Sequence, residues 1–125
     1  DWALAGAVSA FREPRTAHTL ESVVYWELQR RGLQTSYELV GTDKYEVDFV
    51  AGLPDNPPEI AIQVCMDLSD PSTVAREERA LTRLVDHVGT SLEPLIITLQ
   101  DPPSGIETRY PVKKAWQWCL ESALT

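Results

Sequence analysis

Two stretches of the chain alternate so regularly that they fix where its sheet must lie. In Glu59-Ile60-Ala61-Ile62-Gln63-Val64-Cys65-Met66, residues two apart share a face, because side chains alternate across an extended backbone. Ile60, Ile62, Val64 and Met66 form an unbroken apolar stripe, and Glu59, Ala61, Gln63 and Cys65 form the other side. Tyr45 to Val50 reads the same way, with Glu46, Asp48 and Val50 on one face and Tyr45, Val47 and Phe49 on the opposite one. Joined as neighbours through the turn-rich segment Gly52–Pro58, the two strands bring Asp48, Gln63 and Cys65 to one patch. An acid, an amide and a thiol on an otherwise apolar sheet mark the first place to look for a site.

The remaining elements fall around that pair. A short helix is expected over residues 1–11, ended by Glu13-Pro14, because a residue before proline avoids the helical region. A second helix runs from about His18 to Arg31, with Leu20, Val23, Val24 and Leu28 inward and Gly32 at the stop. Glu27 and Arg31 are spaced for an i,i+4 pair, and Glu21 borders the apolar stripe. Gln34 to Val40 reads as a strand, turned by Gly41-Thr42-Asp43-Lys44 into the next. Asp70-Pro71 marks a helix start, an N-cap acid followed by a proline at the first helical position. That helix continues to about Val88, with Val74, Leu81, Leu84, Val85 and Val88 inward. Pro94 to Leu99 is a continuous apolar strand of the kind buried on both faces. An extended piece near Tyr110–Val112 follows, then a helix with Trp116, Cys119, Leu120, Ala123 and Leu124 on one side. A hairpin-built sheet with a helical crossover into a late strand implies α/β architecture: a mixed central sheet flanked by helices. The chain reads as one domain over residues 1–125, with 1–16 a leading helix.

Charge narrows the function classes. The net charge is −8, and residues 1–35 are balanced, so the deficit lies wholly in residues 36–125. A surface this acidic gathers little of the counterion-release energy that sequence-independent nucleic-acid binding needs. No apolar run approaches the ~20 residues of a membrane span. The two cysteines, Cys65 and Cys119, show no metal-ligand or redox spacing, which fits reduced thiols and a cytoplasmic location. Phosphate-loop, dinucleotide and nucleophile-elbow motifs are absent. Arg76-Glu77-Glu78-Arg79 reads as a solvated helix face, with Arg76 and Arg79 sharing a side able to meet an anion.

Glu21, Asp48, Gln63 and Cys65 are the candidate site residues. Carboxylates from a helix and a strand can hold Mg²⁺, which takes one or two such ligands plus waters. Hydrolysis of a phosphodiester also needs a group that activates water and stabilises developing charge, commonly a lysine or second metal. Gln63 and Cys65 offer neither a carboxylate nor an ammonium. The outline of a metal site is there, chemically depleted.

The blocks Leu20 to Gly32, Glu46-Val47-Asp48-Phe49-Val50, Ile62-Gln63-Val64 and Arg76 to Leu81, taken in order, resemble the C-terminal domain of prokaryotic AAA-type ATPases. That family looks like a branch of the PD-(D/E)XK, restriction-endonuclease-like fold, whose core order is helix, three strands, helix, strand. The resemblance covers roughly residues 17–124. It implies that Glu21 is the helix acid, Asp48 the motif aspartate, and Gln63 with Cys65 the E-x-K position. It also implies an ATP-binding module upstream in the same protein. The expected function is an accessory domain with a degenerate, vestigial nuclease site, acting in substrate recognition or interaction. The alternatives are an active Mg²⁺-dependent DNA endonuclease using Glu21 and Asp48, with Gln63 as an auxiliary ligand, and an oligomerisation domain. Expected partners are the upstream ATPase module and a nucleic acid or protein, with no membrane, and an oligomer is allowed.

Overall fold

The computed structural model describes residues 16–36, 46–89 and 91–123. Helix α1 (Thr16–Arg30) forms because Leu20, Val24 and Leu28 recur at helical spacing, and all three are wholly removed from solvent. Burying each such leucine contributes on the order of 2 kcal/mol. The helix ends at Gly32, whose φ of 77° lies in the left-handed region. Its N–H donates to the Gln29 carbonyl and that of Leu33 to the Leu28 carbonyl, each at 3.0 Å. This is the paired closure of a Schellman end, and Leu33 joins Leu28 in one apolar cluster as such ends favour.

Strands β1 (Gln34–Thr35), β2 (Phe49–Gly52), β3 (Ile60–Val64), β4 (Glu93–Thr98) and β5 (Val112–Lys114) form a sheet in sequence order. β1, β2 and β3 are antiparallel neighbours, whereas β3, β4 and β5 are parallel. Helix α2 (Pro71–Val88) makes the crossover from β3 to β4, and α3 (Ala115–Ala123) follows β5 directly. The expected mixed α/β architecture is therefore present. The leading helix over residues 1–11, the turn at 41–44 and residues 37–40 of the first expected strand lie outside the described residues. No helix among the described residues is long and apolar enough to cross a membrane.

The sheet separates two cores. Phe49, Ala51, Ile60, Ile62, Val64, Leu95 and Ile97 face α1 and α3, meeting Leu20, Val24, Leu28 and Trp118. Val50, Ala61 and Ile96 face α2, meeting Val74, Leu81 and Leu84. The alternation expected over residues 59–66 is realised, with Cys65 on the α2 side and Met66 on the other. Asp70 caps α2 as expected: its Oδ1 accepts from the Ser72 N–H at 2.9 Å.

Two expectations are corrected. Of the strand expected over Tyr45–Val50, Tyr45 lies outside the described residues, residues 46–48 are not strand, and Val47 packs with Val50 on the α2 side instead of beside Phe49. Residues 46–48 lie outside the β2–β3 ladder, so the strict alternation of a paired strand does not extend back to Val47. In α3 the buried residues are Ala115 and Trp118, while Trp116 turns outward with Lys114 over its ring.

Glu27 ties the two helices on the first face together. It is only 6% exposed and binds the guanidinium groups of Arg30 and Arg31 at 2.8 and 2.7 Å. Arg31 in turn donates to the Trp118 carbonyl at 2.6 Å and lies 4.3 Å over the Trp118 ring. Replacing Glu27 with alanine strands a half-buried guanidinium, and a loss of about 2–3 kcal/mol is expected in urea unfolding. Gly52→Ala is expected to destabilise as well, because a Cβ there would lie 2.6 Å from the Pro57 carbonyl oxygen, a backbone atom that cannot swing aside.

Candidate functional site

The β2–β3 ladder stops at Phe49 opposite Ile62, and past it the chain is held by side chains instead of backbone pairing. Gln63 extends into the gap. Its Oε1 accepts from the Asp48 N–H at 2.9 Å, and its Nε2 donates to the Glu46 carbonyl at 3.3 Å. The amide thus does for residues 46–48 what a partner strand would do, which explains how a glutamine 2% exposed is tolerated on an apolar face. Asp48 answers from the other side: its Oδ2 accepts from the Val64 N–H at 2.8 Å.

This junction sits at the carboxyl end of β3, where α2 begins shortly afterwards. Crevices outside the carboxyl ends of parallel strands are where open α/β sheets place ligands. The Asp48 carboxyl is pushed up from 3.8 to about 6, mainly by burial; the Val64 N–H opposes the shift, and the charges of Glu21 and Glu77 add to it. Glu77 is also pushed up, first by burial, with Arg76 at 3.4 Å opposing and the charge of Glu46 adding to the rise. Acids from α1, from the segment before β2 and from α2 therefore act on one another here. Arg76 offsets the shift of Glu77 alone among these acids.

Of the residues expected at the site, Glu21 and Asp48 are brought close enough for their charges to interact. Gln63 is joined to Asp48 by a hydrogen bond to its backbone, with both amide atoms engaged. Cys65 lies on the α2 side, its Sγ donating to the Asp67 carbonyl at 3.3 Å. Burial raises its thiol pKa, so at neutral pH it is a poor nucleophile and a poor ligand.

Glu77 is the residue the sequence reading missed. The expectation of a solvated run over Arg76–Arg79 is corrected: Arg76 and Arg79 are exposed, but Glu77 and Glu78 are only half-exposed. The signal was present in the spacing. Val74, Glu77, Leu81 and Leu84 follow one helical stripe, so an acid at that position must face the sheet. Glu78 has a separate duty, its Oε2 accepting from the N–H groups of Arg109 and Tyr110.

Glu21 and Asp48 would be the ligands of a divalent ion here. Asp48 Oδ1 takes no hydrogen bond among the described residues, so one oxygen is open. Gln63 does not fit a ligand role, because its oxygen already accepts from the Asp48 backbone. Among the described residues no group of three or more His, Cys, Asp or Glu side chains is arranged to hold a metal ion.

The raised Asp48 pKa has a definite sign. The folded state holds its proton more tightly than the unfolded chain, so this group's contribution to stability is greatest below about pH 4 and falls as pH rises to about 6. Asp48→Asn keeps an oxygen for the Val64 N–H and removes the charge. It is expected to stabilise the fold at pH 7 by on the order of 1–2 kcal/mol after discounting for partial exposure, and to give no gain near pH 4. Gln63→Ala is expected to cost about 2–3 kcal/mol at either pH, because the Asp48 N–H and the Glu46 carbonyl lose their partner. Urea unfolding at the two pH values separates these outcomes. No protein-family model, curated protein or solved structure matches the chain.

Proposed function

We propose that this chain is an accessory domain of a AAA-type ATPase, built on a PD-(D/E)XK nuclease-like scaffold whose site recognises or holds a partner and does not cut. The observation that carries the reading is the Asp48–Gln63 junction. An acid stands at the carboxyl end of the central strands beside Glu21, where a metal-dependent nuclease would need it. The neighbouring strand supplies an amide bound at both ends and a thiol, where such chemistry needs a carboxylate and a fixed ammonium. The element order α1, β1, β2, β3, α2, β4 agrees with the core order of that fold. ATP would be bound by the upstream module and not by this segment.

The second reading, an active Mg²⁺-dependent DNA endonuclease, is favoured by one observation: the charges of Glu21 and Glu77 both act on Asp48, and a divalent cation would relieve that repulsion. In it Glu21 and Asp48 would hold the ion, and the chemistry it would supply is Lewis-acid activation of a phosphodiester and of water. Glu77, protonated more readily than a free glutamate, would hold or release a proton beside them.

Incubation of supercoiled DNA with the protein and Mg²⁺ or Mn²⁺ distinguishes the two. The first reading expects no cleavage, no rise in melting temperature with either ion, and at most partial recovery of metal binding in the double variant Gln63→Glu, Cys65→Lys. Cleavage by the unmodified protein that disappears in Asp48→Ala would establish the second.

A further inference from the structure

The exposed face of α2 carries a row of arginines on an acidic protein. Arg76, Arg79 and Arg83 recur at i, i+3 and i+7, so they lie along one side of the helix over about 10 Å, and all three are exposed. The acids that would normally be interleaved with them are withdrawn. Glu77 turns towards the sheet, and Glu78 is taken by the backbone N–H groups of Arg109 and Tyr110. Asp86 remains as an exposed acid further along the helix, and no ion pair joins it to Arg83 among the described residues.

The other described cations are engaged. Arg30 and Arg31 bind Glu27, Lys113 binds Glu121 and Lys114 binds Asp101. Arg109 reaches Thr82 and lies over the Tyr110 ring. Arg76 has only a 3.4 Å contact with Glu77. Arg79 and Arg83 have no ion-pair partner among the described residues, although the chain has 19 acidic residues against 11 basic ones. Like charges one helical turn apart are unfavourable within a helix. The stripe therefore costs the isolated protein something that an anionic partner would offset.

We propose that this arginine stripe is a docking surface for an acidic protein segment, one carrying carboxylates at helical spacing that match Arg76, Arg79 and Arg83. Three guanidinium groups two turns apart offer bidentate seats for carboxylates. Nucleic acid fits less well on two counts. α2 has no Phe, Tyr or Trp on which a base could stack, its one ring being the His87 imidazole. A polyphosphate long enough to bind would also run past the stripe against a body of net charge −8. Arg79 and Arg83 have no ion-pair partner among the described residues at the Asp48 site, so their part of the surface stands whether or not that site binds a metal.

The test uses the full chain and a fluorescein-labelled, Glu-rich helical peptide, with a single-stranded oligothymidylate of equal charge as competitor, read by fluorescence anisotropy. Saturable peptide binding is expected, weakening as salt rises from about 50 to about 200 mM. Arg79→Glu with Arg83→Glu is expected to weaken it at least about tenfold with no change in the circular dichroism spectrum. Lys113→Glu with Lys114→Glu, the same charge change elsewhere, should leave it within about twofold. Three results would overturn the proposal: no saturable peptide binding at low salt, binding indifferent to the arginine reversal, or an oligonucleotide that binds as tightly through the same arginines.

Discussion

Everything at the candidate site depends on how the chain closes the gap where β2 leaves β3. A strand that turns away exposes backbone donors and acceptors that cannot be left buried and unpaired. Here two side chains on opposing segments supply the missing partners, Gln63 for residues 46 and 48 and Asp48 for residue 64. The exchange fixes the position of the Asp48 carboxylate without committing both of its oxygens. It also explains why a carboxylate persists in a place that disfavours its charge: its geometry is useful to the fold while its ionisation is not.

The electrostatic pattern around that junction follows from which side of α2 each charge occupies. Glu77 lies on the stripe that faces the sheet and so shares the low-dielectric surroundings of Asp48, whereas the arginines of the same helix point to water. One amphipathic helix thus sorts acid inward and base outward. An acid forced inward with incomplete compensation is an uncommon use of a buried position, and such positions concentrate at sites with a function.

Much of the fold was legible because it is set by short-range rules. The alternation of residues 60–66 needs only an extended backbone, and the start of α2 at Asp70-Pro71 needs only cap chemistry. Alternation puts Val47 beside Phe49, but the ladder starts only at Phe49, and nothing in the sequence marks where pairing stops. Trp116 was placed inside on its hydrophobicity, yet Ala115 and Trp118 take the buried positions and leave it outside. At the site, Asp48 was identifiable by its position in an otherwise apolar run. That Gln63 serves the backbone, and that Glu77 joins the acids, are tertiary facts: each depends on a partner 15 or more residues away.

The Arg31–Trp118 contact joins residues 87 apart in the chain, across the face that α1 and α3 share. The apolar stripe of α1 is synthesised before the indole that covers it, which follows Arg31 by 87 residues. Until then Leu20, Val24 and Leu28 have no lid over that end, and α1 is open to whatever hydrophobic surface or chaperone lies nearest. A stalled or shortened product ending before Trp118 would thus carry an uncovered helix, and cellular quality control would have a ready mark for recognising it.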